Sequence, residues 1–307
     1  MKPLKIIFIV GPTAVGKSDA AFLLAKEIDG EIIACDAMQV YKEISILSNK
    51  PSKEAVRKVR HHALGCVSVT REYDVVSFQK KVKTAISQIH KRKKIPIIVG
   101  GSGFYMKILL DGIFKGKAAS ESFRLSLEKR IEAEGLESLY EELKKVDSAS
   151  ALKIHTHDKK RIMRALEVFS LHQKPISELQ KKRKGLWGKY DIRIFGLNYE
   201  RAKLYQRINE RVEKMFEDGA VLEIQKLASK KISKTAHTII GVKEIQDFLK
   251  GNLSLAETKS LIQQKTRRYA KRQLTWFRQE KRLQWINIED HDTSLSIASR
   301  IQKELEL

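Results

Sequence analysis

Short continuous apolar runs alternate with amphipathic stretches along the first hundred residues. Lys5-Ile6-Ile7-Phe8-Ile9-Val10, Glu31-Ile32-Ile33-Ala34-Cys35-Asp36 and Ile95-Pro96-Ile97-Ile98-Val99 are too short for core helices and predict buried strands. Asp19–Lys26, the charged run Ser52–Arg60 and Ser77–Arg92 predict helices between them. Strands alternating with helices imply a parallel sheet covered on both faces, with ligands at the carboxyl ends of the strands. From about Phe114 the strand signal stops. Phe123–Lys145, with Leu125, Leu127, Ile131, Leu136 and Leu139, and His157–Leu171 read as helices, and Gln180–Gly185 reads as a basic linker. Ile192–Leu197 resumes the strand pattern. The remainder reads as mostly helical: Leu204, Ile208, Val212 and Met215 share one face, and Arg207, Arg211 and Lys214 share another. Thr266–Lys281 predicts a long basic helix whose aromatics Tyr269, Trp276 and Phe277 read as core anchors. The expected organisation is an α/β core from 1–113 and 191–307, with a helical insertion at 114–190 and a helical C-terminal part.

Composition adds a partner. Sixty Lys+Arg against 37 Asp+Glu leave a formal charge of +23 on 307 residues, which points to a polyanion, nucleic acid before acidic membrane. Hydrophobic content of 42% supports a sizeable core. Cys35 and Cys66 cannot make a disulfide scaffold or a zinc site by themselves. A strand begins within a few residues of the N-terminus and no apolar run reaches spanning length, so a cytoplasmic location without membrane association is expected.

The candidate chemistry begins with Gly11-Pro12-Thr13-Ala14-Val15-Gly16-Lys17-Ser18. It fits the phosphate-loop template between a strand and a helix, and so predicts a P-loop NTPase-like sheet that binds a di- or triphosphate. Backbone N–H groups and the helix N-terminus would face phosphate oxygens, Lys17 the outermost phosphate, and Ser18 a bound Mg²⁺. Asp36 at a strand end reads either as a magnesium-ordering carboxylate or as a general base, with Gln39 and Tyr41 placed to meet a planar base. Gly100-Gly101-Ser102-Gly103-Phe104-Tyr105 stands where a nucleotide hydrolase often carries a second acid, and none is present. That turn reads as packing or as a second backbone cradle, with the Ser102 hydroxyl aimed at phosphate or at a reacting amine. His61-His62, His155 and His157 have no ligand spacing and read as structural. Lys160, Arg161 and Arg164 form a basic face suited to phosphates.

These blocks, in order, resemble the tRNA dimethylallyltransferase (tRNA isopentenyltransferase) family. They are Gly11–Ser18, Asp36–Tyr41, Lys50-Pro51, His61-His62, Gly100–Tyr105, Asp158–Val168, Ile240–Glu244 and Thr266–Arg278. The resemblance implies transfer of a dimethylallyl group from dimethylallyl diphosphate to N6 of the adenosine 3′-adjacent to the anticodon, by a monomer that uses Mg²⁺. It further implies Asp36 as the base, with Ser102 beside it. The tRNA contacts it implies are Asp36, Ala37, Met38, Gln39, Phe123, Lys160, Arg161, Ile162, Met163 and Arg164. The leaving diphosphate also needs an arginine, and Arg211 is chosen ahead of Arg207. Departures from the family are Ala37 for Ser, Ser102 for Thr, Val242 for Tyr at a position tied to a tRNA contact, and Ala63-Leu64-Gly65 for Leu-Ile-Asp. Three rivals stand beside this reading. An adenylate isopentenyltransferase is opposed by the charge and the insertion, a small-metabolite kinase would turn over ATP, and a non-catalytic RNA-binding protein leaves the phosphate loop unexplained.

Overall fold

The computed structural model describes residues 3–114 and 121–305. The chain divides into two compact units, Met1–Leu109 with Trp187–Leu307, and Leu110–Leu186. In chain order the first unit opens with β1 (Lys5–Val10), α1 (Lys17–Glu27), β2 (Gly30–Ala34), α2 (Lys53–Lys58), β3 (His61–His62), α3 (Val75–Lys91), β4 (Ile95–Gly100) and most of α4 (Gly103–Asp111). The helices α5 (Glu121–Val146), α6 (Ser148–Ala151), α7 (Lys159–His172) and α8 (Ile176–Lys181) follow. The first unit then resumes with β5 (Asp191–Tyr199), α9 (Arg201–Glu217), α10 (Ala220–Gln225), α11 (Val242–Leu249), α12 (Leu255–Arg278), β6 (Gln284–Ile288) and α13 (Ser294–Glu304).

Among the described residues six strands form one sheet in the order β3-β2-β4-β1-β5-β6, and each of their pairings is parallel. The apolar runs are explained by burial on both faces: Ile6 to Ile9 are 0% exposed, as are Ile97 and Ile98. Each such side chain contributes roughly 1.5–3 kcal/mol relative to exposure. Leu204 and Ile208 of α9 complete the core with Ile297 and Ile301 of α13. Strand order reverses around β1, so the carboxyl ends of β1, β2 and β4 open on one crevice.

The second unit has its own core of Leu127, Leu139, Leu143, Ile162, Met163 and Leu166. Gly135 breaks α5 with φ 81°, a backbone shape that favours glycine. Glu167 is fully buried and accepts from Arg124 at 2.8 Å and Arg164 at 2.6 Å.

The C-terminal part is mostly helical, as expected, and the strand that the sequence reading did not place is β6, an edge strand beside β5. Its run Gln284-Trp285-Ile286-Asn287-Ile288 alternates, and half-buried edge strands give a weaker signal than continuous apolar ones. The stretch Gln180–Gly185 is not all linker, because α8 runs to Lys181. The long basic helix begins at Leu255, where Ser254 and Glu257 form a capping box.

The histidine pair is structural, with β3 pairing to β2. His62 Nε2 lies 2.6 Å from Glu31 Oε2, and Arg92 grips the same carboxylate through two bonds of 2.8 Å. Burial opposes ionisation of Glu31, but Arg92 and His62 outweigh it and hold the carboxyl at about 2. Its stabilisation is therefore full above pH 4.5 and disappears on acidification toward pH 2. The unfolding temperature of the natural chain should exceed that of Glu31→Gln above pH 4.5, with the gap closing toward pH 2. A gap indifferent to pH would rule this linkage out.

Candidate active site

A cleft of about 970 Å³ lies at the carboxyl ends of the strands, lined by the phosphate loop, Asp36, Gly100-Gly101, Arg207, Arg211 and Tyr269. The loop between β1 and α1 is shaped by its glycines. A Cβ on Gly11 would stand 2.5 Å from the Leu197 carbonyl oxygen, and Gly16 begins α1 with φ 93°. Lys17 Nζ donates to the Pro12 carbonyl at 2.6 Å. Burial lowers the Lys17 ammonium to about 7, opposed by the Asp36 carboxylate and aided by Arg211. An anion in the loop would reverse that shift, because it restores a counter-charge to the desolvated ammonium. The Ser18 side chain is exposed.

Asp36 follows β2 and is half-buried, and its Oδ1 accepts from the Met38 N–H at 2.8 Å. The Ala37 N–H donates to Ser102 Oγ at 3.3 Å. Gln39 turns its amide to the carbonyls of Ser48 and Asn49 at 3.3 and 3.0 Å. Gly65, with φ 52°, donates its N–H to the Gln39 carbonyl at 2.8 Å. The residue that replaces an expected acid therefore makes a left-handed turn behind the loop carrying Gln39.

The basic face of α9 reaches the same cleft. Arg211 Nη1 donates to Thr13 Oγ1 at 2.9 Å, while its Nε is buried with no hydrogen-bond partner among the described residues. Burial, opposed by Asp36, lowers this guanidinium to about 10. Arg207 is exposed, and its Nε donates to the Ala14 carbonyl at 2.9 Å. A buried cation with an unfilled donor next to a phosphate loop suits a polyanionic ligand.

The structure thus brings Gly11–Ser18, Asp36, Ala37, Gln39, Ser102 and Arg211 into one neighbourhood of the first unit. The second-unit candidates divide. Lys160 and Arg161 are exposed at the start of α7, and Arg164 is tied to Glu167. Ile162 is 0% and Met163 8% exposed, so these two side chains belong to the core of the helical unit rather than to a contact surface. Phe123 packs partly buried against that core. Val242 is fully buried, so no tRNA contact through its side chain is available.

Sequence reasoning missed the share that α12 takes in the site. Tyr269 lines the cleft, whereas Phe277 is the fully buried core anchor that was expected and Trp276 covers Gly103. Gln273 lies 6% exposed against both glycine turns. The helical period of that block carries the signal: Tyr269 and Gln273 are one turn apart and share a face.

The family model described as IPP transferase matches residues 39–280. A tRNA dimethylallyltransferase of Geobacter sulfurreducens is 40% identical over 95% of this chain and 94% of its own length. Among solved structures, a tRNA isopentenylpyrophosphate transferase from Bacillus halodurans is similar with a TM-score of 0.71 and 35% identity, covering 98% of this chain and 97% of that one. A eukaryotic dimethylallyltransferase acting on tRNA is similar with a TM-score of 0.81 and 30% identity, over 97% of this chain and 77% of that one.

Proposed function

The chain belongs to the IPP transferase family, and from that premise we propose how its residues divide the work of prenylating tRNA. The reaction moves a dimethylallyl group from dimethylallyl diphosphate to N6 of the adenosine 3′-adjacent to the anticodon, releasing diphosphate. One observation carries the division of roles: a carboxylate, a phosphate loop and a buried arginine share one cleft, and the turn after β4 has no second acid.

The adenine amine is a weak nucleophile because its lone pair is delocalised into the ring. Asp36 takes its proton as the C–N bond forms. The allylic C–O bond breaks, and the charge that grows on the diphosphate is met by the loop amides, Lys17 and Arg211. Ser102 holds the Ala37 amide and so fixes the backbone beside the base. Ala37, Met38 and Gln39 line the approach of the target adenosine, which must leave its stack to reach the allylic carbon.

The donor set also fits Mg²⁺ held mainly by substrate. Ser18 offers an exposed hydroxyl at the first turn of α1, and no cluster of three or more His, Cys, Asp or Glu able to hold a metal occurs among the described residues. That suits an ion that takes most of its ligands from phosphate and water. When bound, Mg²⁺ supplies charge neutralisation on the diphosphate oxygens.

Lys160, Arg161 and Arg164, with Phe123 beside them on the helical unit, hold the anticodon stem, which the net charge of +23 favours. Lys160→Ala and Arg161→Ala should each weaken tRNA binding and lower the salt slope by about one counterion. Arg164→Ala should change the slope less, since that half-buried guanidinium is held against Glu167, whose single charge it shares with Arg124. Unchanged slopes for Lys160 and Arg161 would return this face to solvent. No helix among the described residues is long and apolar enough to cross a membrane. The same reading makes the protein a cytoplasmic monomer, and a dimer in sedimentation at working concentration would correct it.

The function is tested by incubating the protein with labelled dimethylallyl diphosphate and unmodified tRNA. Label should enter the RNA at the adenosine after the anticodon. Steady ATP hydrolysis that is lost in Lys17→Ala, with no label in RNA, would favour a kinase instead.

A further inference from the structure

Gln273 stands on α12 between two loops that leave different strands. Its Oε1 accepts from the Thr13 N–H at 2.9 Å, inside the phosphate loop after β1. Its Nε2 donates to the Gly101 carbonyl at 2.9 Å, in the glycine turn after β4. The fit is close: a Cβ on Gly101 would lie 2.1 Å from that Nε2. One helical turn earlier, Tyr269 lines the same cleft as Gln273, with its hydroxyl facing the side chains of Ser102 and Gln273. Ser102 in turn accepts from the Ala37 N–H beside Asp36, and Thr13 accepts from Arg211 through its hydroxyl. Burial pushes the Tyr269 phenol well above its ordinary value and Asp36 adds to the shift, so it remains a neutral hydroxyl.

Simple packing of α12 on the sheet would be served by an apolar side chain, as Phe277 and Ala270 serve it elsewhere on the same helix. A buried amide is costly unless its groups are paired. Here it is paired with the two loops that carry the reaction. We propose that Gln273, supported by Tyr269, is a positioning residue that sets the spacing between the phosphate loop and the Asp36–Ser102 corner. The proposal rests on the transfer reaction described above. It matters because the amine and the allylic carbon must meet in line, and a misplacement of about 1 Å can cost on the order of 10²-fold.

The test uses Gln273→Leu, Gln273→Glu and Tyr269→Phe in the full chain, each compared with the parent. Single-turnover transfer from dimethylallyl diphosphate to an anticodon stem-loop RNA is measured from about pH 5.5 to 8, with inorganic diphosphate affinity by calorimetry beside it. Gln273→Leu should lower the rate by roughly 10–100-fold at every pH. Gln273→Glu should be pH-dependent. As a carboxylic acid it still accepts from Thr13 and donates to Gly101, whereas the carboxylate has no proton for Gly101 and repels the diphosphate. Its parent-normalised rate should therefore recover by roughly tenfold toward the acid end, where burial favours the neutral form. Tyr269→Phe should lose roughly 3–10-fold, because Gln273 remains.

A Gln273→Leu rate within about twofold of the parent, or a Gln273→Glu defect indifferent to pH, would overturn the proposal. If Gln273→Leu does not fold, the other two variants decide it. Absence of transfer by the parent would instead fail the functional reading. The diphosphate arm then decides positioning: pH-dependent weakening in Gln273→Glu supports it, and parent-like affinity overturns it.

Discussion

Asp36→Asn should bind both substrates nearly as well as the parent and transfer the dimethylallyl group roughly 10²–10⁴-fold more slowly. Asparagine keeps the shape and the oxygen that accepts from the Met38 N–H, so the loop from Asp36 to Gln39 keeps its form. What it loses is the ability to take a proton. The amine sheds that proton only as the C–N bond forms, so the loss appears in the single-turnover rate and not in either affinity. The alternative role for a strand-end carboxylate, ordering Mg²⁺, makes the opposite forecast. In that case dimethylallyl diphosphate affinity drops and excess Mg²⁺ partly restores transfer. Rate and affinity followed together across a Mg²⁺ titration separate the two roles. Near-normal turnover would falsify the base assignment.

Arg211→Ala is the second large effect, with a loss of roughly 10²–10³-fold in transfer, the usual cost of removing a preorganised donor to growing charge. The Nη1 bond to Thr13 and the unfilled, buried Nε place this guanidinium in the cleft before any ligand arrives. Because the diphosphate gains charge on leaving, the rate should fall further than ground-state affinity does. Arg207→Ala should cost far less, since that side chain is exposed and its Nε already serves the Ala14 carbonyl. A larger loss at Arg207 than at Arg211 would reverse the order. Affinity for tRNA should hold in both variants, and gel-shift titration checks it.

How much of this could be read in the residues follows from the physics of each signal. Strands β1, β2 and β4 were legible because burial on both faces leaves nearly continuous apolar runs that bracket recognisable turns, and β5 because Ile192, Ile194, Phe195 and Leu197 keep most of such a run around the exposed Arg193. Strand β3 has two residues and β6 alternates on an edge, so neither stands out from loop or helix. The phosphate loop and Asp36 were legible because their chemistry is local in sequence. Arg211 was legible as one of three cations on a helix face, but which of them is buried depends on packing against Thr13, almost two hundred residues away. The bridge made by Gln273 was invisible for the same reason. Ile162 and Met163 lie inside a block rich in cations, and it is the packing of α5, with Ala151, Ile154 and Ile176, that makes that side of α7 a core.

The register of β1 has a consequence for how the protein is made. β1 pairs with β5, and Lys5 finds its partner Asp191 about 190 residues later, after the whole helical unit has been built. At about 5–20 residues per second, that interval is on the order of ten to forty seconds on the ribosome. During it β1 can pair with β4 on one side only, and the apolar run Ile6-Ile7-Phe8-Ile9 presents an open strand edge. The wall behind Gly11, formed by the Leu197 carbonyl, also arrives with that last central strand. The phosphate loop therefore takes its final form late in synthesis, and the nascent chain is most prone to aggregate while residues 110–186 are being added.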